Sequence, residues 1–519
     1  MTARLADSLT RSEAAKLKLM TQTRTGASKV KTFLLSLLCV LAFSTTEVPQ
    51  SFAQNPADDR IDRVLHGLRP PVAIKGRPAV RWTLAERMAV HHVPGVSIAI
   101  IDGGRVVWAR GFGVKENGTN DLVTTSTLFQ AQSISKAVAA TATLFLVDSG
   151  KLSLDENPNT YLRSWKLPEN EFQVKEKVTL RKILSHSAGL TVGGFAGYRS
   201  GDALPTLLQI LNGEKPATNP PIRVDTVPGS ISRYSGGGAM VMQQLLIDVT
   251  GESFPSMMKR LVFDRIGMTL STYEQPLPEA RRKEAASGHD GEGELVKGKW
   301  PIVPEMAAAG LWTTPTELAE WALEISDAWG GRPSKLLSKK IATEMLTMQK
   351  PPFGLGVYIR GTDEALSFFH AGSIWGFRAF VVMFPAIGKG AVVMTNADQG
   401  DALITELITS IAAEYHWPAR NQSEREVVTL TVQQLDGLVG TYSLPPAPSG
   451  APVYYEVSLK GEQLFAELKG LGSYPKTEIY AASATSFFTL DGLPVVFTLD
   501  RSGRATKVKM GQIEGIRKQ

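Results

Sequence analysis

The stretch Thr127 to Glu156, TLFQAQSISKAVAATATLFLVDSGKLSLDE, decides how the chain is read. Its middle, KAVAATATLFLVDSG, has helical periodicity, with Gly150 placed to end it as a C-cap. At its front stand Ser133 and Lys136, three residues apart and so on one face of that helix. A serine at a helix N-terminus has its own N–H unpaired, where the helix dipole favours negative charge, so a nucleophile and part of an oxyanion hole come together. The lysine amine lies one turn on. It can accept the serine proton near neutral pH if the apolar flanks LFQAQ and AVAATATLFL desolvate it and lower its pKa. Spacing alone is a weak signal, because Ser28 to Lys31 and Ser256 to Lys259 match as well. The first match falls in the N-terminal apolar region. The second falls on an amphipathic helix, where a solvated Lys259 is expected.

The surrounding chain separates the Ser133 match from these. HHVPGVSIAIIDGGRVVWARGFGV precedes it, and VTLRKILSHSAGL, ISRYSGGGAMVMQQLL, AAAGLWTTPTELAEWALEI and FFHAGSIWGFRAFVVMFP follow. Across residues 80–415 these motifs resemble, in order and spacing, the serine β-lactamase and penicillin-binding DD-peptidase superfamily. The branch most similar is that of class C β-lactamases, D-aminopeptidases and related esterases. The resemblance implies an α+β domain, an antiparallel sheet flanked by helices with an all-helical subdomain. It also implies that Ser133 is the acylated nucleophile and Lys136 its partner.

By the same resemblance Tyr234, in Tyr234-Ser235-Gly236, moves protons between nucleophile, leaving group and water, as phenolate or as relay. A phenol with a pKa near 10 needs a nearby cation for the first role, and Lys136 would supply it. His370, in His370-Ala371-Gly372, matches the third motif. The backbone N–H groups of Ser133 and Ser373 would form the oxyanion hole, with Gly236 and Gly372 lining the substrate site. The motif around His186 is implied to be structural. Taken singly, Tyr234 reads as a half-buried tyrosine and His370 as a strand-edge histidine. Two departures bear on substrate: Gly236 stands where many relatives have Asn, which removes an anchor for an acyl amide, and His370 stands where lactamases have a permanently charged lysine. Both favour an esterase, amidase or D-amino-acid peptidase over an efficient β-lactamase.

The residues also carry an architecture of their own. VSIAIID and RVVWARGFGV flank Gly103-Gly104 as a hairpin, and FRAFVVMFP and GAVVMTNA flank a second. Helical patterns lie between, among them AMVMQQLLIDVTG and SFPSMMKRLVFDRIG. Hairpins at both ends around inserted helices predict a sheet that joins the two ends of the domain. From about Leu430 the chain reads as short strands, VYYEVSL, QLFAEL, TEIYAA, SFFTL, PVVFTLD and ATKVKM, a sandwich or small barrel. Its opening, LDGLVGTYSL, resembles a lipocalin-like domain, with Tyr454, Tyr455, Phe487 and Phe488 read as core. The expected organisation is a signal segment 1–53, a hydrolase domain 54–425 and an all-β barrel-like domain 426–519, with the boundary in the polar segment PARNQSERE.

Composition narrows the function classes. The chain has 519 residues, 43% hydrophobic and 20% charged, with a net charge of +6 and one cysteine. That is globular composition, and it excludes an intramolecular disulfide and a cysteine-rich zinc module. Residues 1–53 hold seven basic and three acidic side chains, the cysteine Cys39, and the apolar run Phe33 to Phe43. This layout predicts a cleavable export signal ending at Ala53 and a periplasmic or secreted product, with membrane contact only if the signal stays on. The rest carries 49 basic and 47 acidic side chains, so a nucleic-acid partner loses its support. No phosphate loop, G-x-S-x-G elbow or H-E-x-x-H helix is present, and the seven histidines show no ligand spacing. The expected partner is therefore a small-molecule or peptide substrate, cell-wall material among the candidates, with no cofactor and no metal. The alternative is a catalytically silent penicillin-fold protein that binds cell-wall peptide or a protein.

Overall fold

The computed structural model describes residues 56–446, 451–470 and 476–518. The apolar run, Ala53 and the Ser28 to Lys31 match lie outside the described residues. Six strands form the main sheet: β1 (Gly95–Asp102), β2 (Arg105–Gly113), β3 (Tyr358–Arg360), β4 (Ser367–Ile374), β5 (Phe377–Phe384) and β6 (Lys389–Thr395). Their order is β2-β1-β6-β5-β4-β3, antiparallel throughout. Val96 lies opposite Thr395, and Ile101 opposite Gly390, so the N-terminal hairpin and the C-terminal strands do meet at the sheet centre. The apolar run of β1 fits that place, because a central strand covered on both faces has no solvent side to alternate toward.

Four longer helices complete the domain: α1 (Ile134–Asp148), α2 (Gly236–Thr250), α3 (Pro315–Gly330) and α4 (Gly400–Glu414). Val96, Ile98 and Ile100 face α4 and the helix Pro56–Leu65 in one apolar cluster. Ala99, Ile101, Val381, Met383, Val392 and Met394 lie in the other cluster, where α1 and α3 pack on the sheet. Twelve of the fifteen α1 residues are buried, so this helix is enclosed on all sides. Its alanines and threonines allow that close approach. Thr141 and Thr143 donate to carbonyls one turn back, and Trp321 Nε1 donates to Thr141 Oγ1 at 3.0 Å.

The C-terminal region is a closed eight-stranded barrel in consecutive order: β7 (Gly440–Leu444), β8 (Val453–Lys460), β9 (Gln463–Lys469), β10 (Thr477–Ala481), β11 (Ser486–Phe488), β12 (Pro494–Leu499), β13 (Ala505–Met510) and β14 (Ile513–Arg517). The six strands read from sequence correspond to β8 through β13. The barrel closes through β7, which lies in the opening LDGLVGTYSL, and β14, which is not among the strands read from sequence because Gly515 interrupts its apolar pattern. A Cβ at Gly515 would lie 2.6 Å from Leu444 Cδ2, so that side chain would have to shift to admit one. Tyr455 and Phe487 fill the barrel, whereas Phe488 packs outside it with Val72 and Tyr480.

The polar segment 418–426 is more than a tether. Ser423–Arg425 pairs in parallel with Val72–Ile74, and Val72 N–H donates to Leu490 of the barrel at 3.0 Å.

Candidate active site

Ser133 directly precedes α1 in right-handed helical conformation, and its hydroxyl makes no capping bond. Carbonyls of Ala131, Gln132 and Ser133 accept from the N–H groups of Ile134, Ser135 and Lys136, so the helix start needs nothing from the Ser133 side chain. Gln132, before it, has φ +52 and is buried. That left-handed conformation costs about 1–2 kcal/mol for a residue with a Cβ. It is the sharp turn that presents Ser133, achieved without the glycine elbow sought in the sequence. Packing holds it: Gln132 Nε2 donates to Gln130 Oε1 at 2.7 Å, and Gln130 Nε2 to Pro301 O at 2.7 Å. Tyr273 donates to Ser135 O, and Ser135 Oγ accepts from Leu311 N–H, which fixes the first turn.

Lys136 Nζ lies 3.2 Å from Ser133 Oγ and donates to Ala308 O at 2.7 Å. Ala308 belongs to the short helix Met306–Ala309. Burial alone lowers the amine to about 7, since no carboxylate compensates its desolvation. The opposite holds for the other sequence match. Lys259 is exposed and paired with Asp264, the solvated lysine expected.

Tyr234 precedes Ser235, the N-cap of α2, whose Oγ accepts from Gly238 N–H at 2.9 Å. The Tyr234 ring stands 4.9 Å from Lys136 Nζ, and its hydroxyl is close enough to Ser133 to feel it electrostatically, though no standard hydrogen bond reaches it. Burial pushes the phenol up to about 12 and the amine down to about 7, so near neutral pH Tyr234 is a phenol while Lys136 is divided between amine and ammonium.

His370 lies on β4 with its ring buried against Tyr358 at 5.3 Å and Tyr234 at 6.2 Å between centroids. Burial, then the nearby Lys136, lowers it to about 3. It is a neutral imidazole whose Nδ1 faces Ala371 O at 2.7 Å, which assigns the proton to Nδ1. Its Nε2 and the Tyr234 hydroxyl are buried polar atoms without hydrogen-bond partners.

The structure thus brings Ser133, Lys136, Tyr234 and His370 together. Gly372 and Ser373 follow His370 on the same strand, with Ser373 opposite Arg378. A Cβ at Gly372 would overlap the Ala131 carbonyl oxygen, so this glycine lets β4 lie against the segment that presents Ser133. Gly236 likewise has a packing reason, because a Cβ there would lie 3.0 Å from the Phe195 ring and 3.1 Å from Gly193 O.

Two contributors were not assigned to the site from sequence. His186, at φ +53, accepts from Ser235 N–H at Nδ1 and packs 4.5 Å from the Tyr234 ring. Ala308 offers only a carbonyl. The LSHSAGL motif marked His186, but a backbone acceptor leaves no trace in side-chain chemistry.

The beta-lactamase family model matches residues 80–414. The chain belongs to the beta-lactamase family. Within this family it is 25% identical to penicillin-binding protein 4 of Amycolatopsis lactamdurans over 62% of this chain and 86% of that one. It is 24% identical to protein flp of Staphylococcus aureus over 59% of this chain, spanning 60% of the length of flp. Among solved structures, the octameric penicillin-binding protein homologue from Pyrococcus abyssi shares the fold, with a TM-score of 0.56 at 22% identity over 84% of this chain and 98% of that one. Members of the family with this fold are serine hydrolases of the β-lactamase and penicillin-binding type.

Proposed function

We propose that the protein is an exported serine hydrolase that cleaves an ester or amide bond through an acyl-enzyme on Ser133. The observation that carries this reading is a buried amine near pKa 7 set 3.2 Å from an uncapped serine hydroxyl. The neutral amine, anchored by Ala308, takes the Ser133 proton as Oγ bonds to the substrate carbonyl carbon. Backbone N–H groups of Ser133 and Ser373 hold the oxyanion. Tyr234 passes the proton from Lys136 to the leaving oxygen or nitrogen as the scissile bond breaks. Water then attacks the acyl carbon, gives its proton back along the same path, and frees Ser133. Neutral His370 accepts a hydrogen bond at Nε2 and supplies no charge. No step calls for a metal or cofactor.

Substrates of this site are esters, D-amino-acid peptides or amides, and β-lactam-type rings. A D-amino acid amidase from Ochrobactrum anthropi shares the fold at a TM-score of 0.53, which keeps the amide class in view. Export rests on the layout of residues 1–53. Exposure to a fluorophosphonate followed by intact-mass measurement tests the reading: one adduct on the wild type and none on Ser133→Ala is expected. An unlabelled wild type would instead support the silent binding protein.

A further inference from the structure

The segment Gly193 to Gly197, GGFAG, bridges two sides of the site. At one end Gly193 O accepts from Gly236 N–H at 3.0 Å, and Thr191 O accepts from Ser235 Oγ, next to Tyr234. At the other end Ala196 O accepts from Trp375 Nε1, two residues beyond Ser373. Gly197 packs so tightly on Pro301 and Ile374 that a Cβ would come within 3.0 Å and 3.2 Å of their side chains. Between the two ends Phe195 lays its half-buried ring over Gly236. That is the position from which many relatives extend an asparagine, and here the aromatic ring occupies the space such a side chain would need.

The charges point the same way. Ser133, Lys136, Tyr234, His186 and His370 act on one another, and among the described residues no carboxylate or guanidinium bonds to any of them. Arg378, opposite Ser373, is held by Asp398 at 3.1 Å and Asp401 at 2.9 Å. At Gly236 the site therefore offers an aromatic face in place of an amide side chain.

Resting on the acyl-enzyme reading, we propose that Phe195 is the specificity-determining residue of this site and that it selects uncharged acyl groups with an aromatic or apolar face over acyl groups bearing an amide or a carboxylate. An aryl group stacked on the Phe195 ring is held without the desolvation cost that an unpaired amide would meet there.

The test compares kcat/KM of the purified protein on nitrophenyl esters of phenylacetate, acetate, succinate and an N-acetylated amino acid, with each preparation titrated by fluorophosphonate. The wild type should prefer phenylacetate over the succinate and N-acetylated esters. Phe195→Ala should cut the phenylacetate-to-acetate ratio about three- to ten-fold, the worth of one aromatic pair. Phe195→Leu keeps the volume and should cut the ratio too, which guards against a poorly folded alanine variant. Phe195→Ala with Gly236→Asn should raise the rate on the N-acetylated ester. Unlabelled wild type would defeat the acyl-enzyme reading itself. Normal labelling with unchanged ratios in both Phe195 variants, or a wild-type preference for succinate, would overturn the role of Phe195 alone.

Discussion

Lys136 is both the cost and the instrument of the site. Its amine titrates near 7 in the fold and near 10.4 in the unfolded chain. Between those values the unfolded chain holds a proton that the folded protein lacks, so this group makes stability rise with pH across that window, and its destabilising effect is complete below pH 7. Lys136→Met should therefore unfold at a higher urea concentration at pH 7, by a margin on the order of a few kcal/mol, while acylation falls about 100- to 10,000-fold. On the acyl-enzyme reading the free amine is the active form. In the wild type kcat/KM should climb with pH through a midpoint near 7, and His370→Gln should leave that midpoint in place because the imidazole stays neutral down to about 3. A midpoint that moves with His370 would transfer the acid limb to the histidine. At this scale Ser133 and Lys136 were legible because their spacing sits at a helix start. The ionisation states were not, because they depend on burial by elements remote in sequence.

At the scale of elements, the site is a meeting of α1, the start of α2 and β4. Their approach is set by residues without side chains. Gly237 shows the same device as Gly372: its Cβ would lie 2.5 Å from Thr191 O, so the glycine run opens α2 against the strap that carries Phe195. Gly372→Ala would push β4 off the Ala131 carbonyl. It should cost about 1–3 kcal/mol of stability in urea unfolding, as overpacking does, and slow fluorophosphonate labelling of Ser133 more than that loss explains. Labelling at the wild-type rate would show that β4 can shift without disturbing Ser133. The hairpins and α1 were readable from periodicity and glycine turns. The helix expected over SFPSMMKRLVFDRIG is interrupted by a π-type turn at Lys259–Phe263, a hydrogen-bond shift that no residue in it announces.

At the scale of the whole molecule, the barrel is joined to the hydrolase domain by a small buried contact. Val72 is 2% exposed against Tyr480 and Phe488, and Arg77 and Arg425 cover those rings at 5.4 Å and 5.1 Å. Val72→Asp would bury an unpaired carboxylate there, which the chain avoids by opening the contact. Limited proteolysis between residues 418 and 440 should become at least about ten-fold faster, given that every 1.4 kcal/mol is a factor of ten in an opening equilibrium. Ser133 should still be labelled. Cleavage at the wild-type rate would mean that other contacts hold the barrel. The sequence by itself determined the family, the all-β character of the C-terminal region and the candidate site residues, because these follow from local period and from motif order along the chain. Only the tertiary structure decided that the Lys136 amine is buried and lowered to about 7, that Tyr234 rests as a phenol, that Phe195 stands over Gly236, and that the polar segment 418–426 pairs with Val72–Ile74. Each of these depends on desolvation or steric contact between residues far apart in the chain, and such energies arise only when those residues meet.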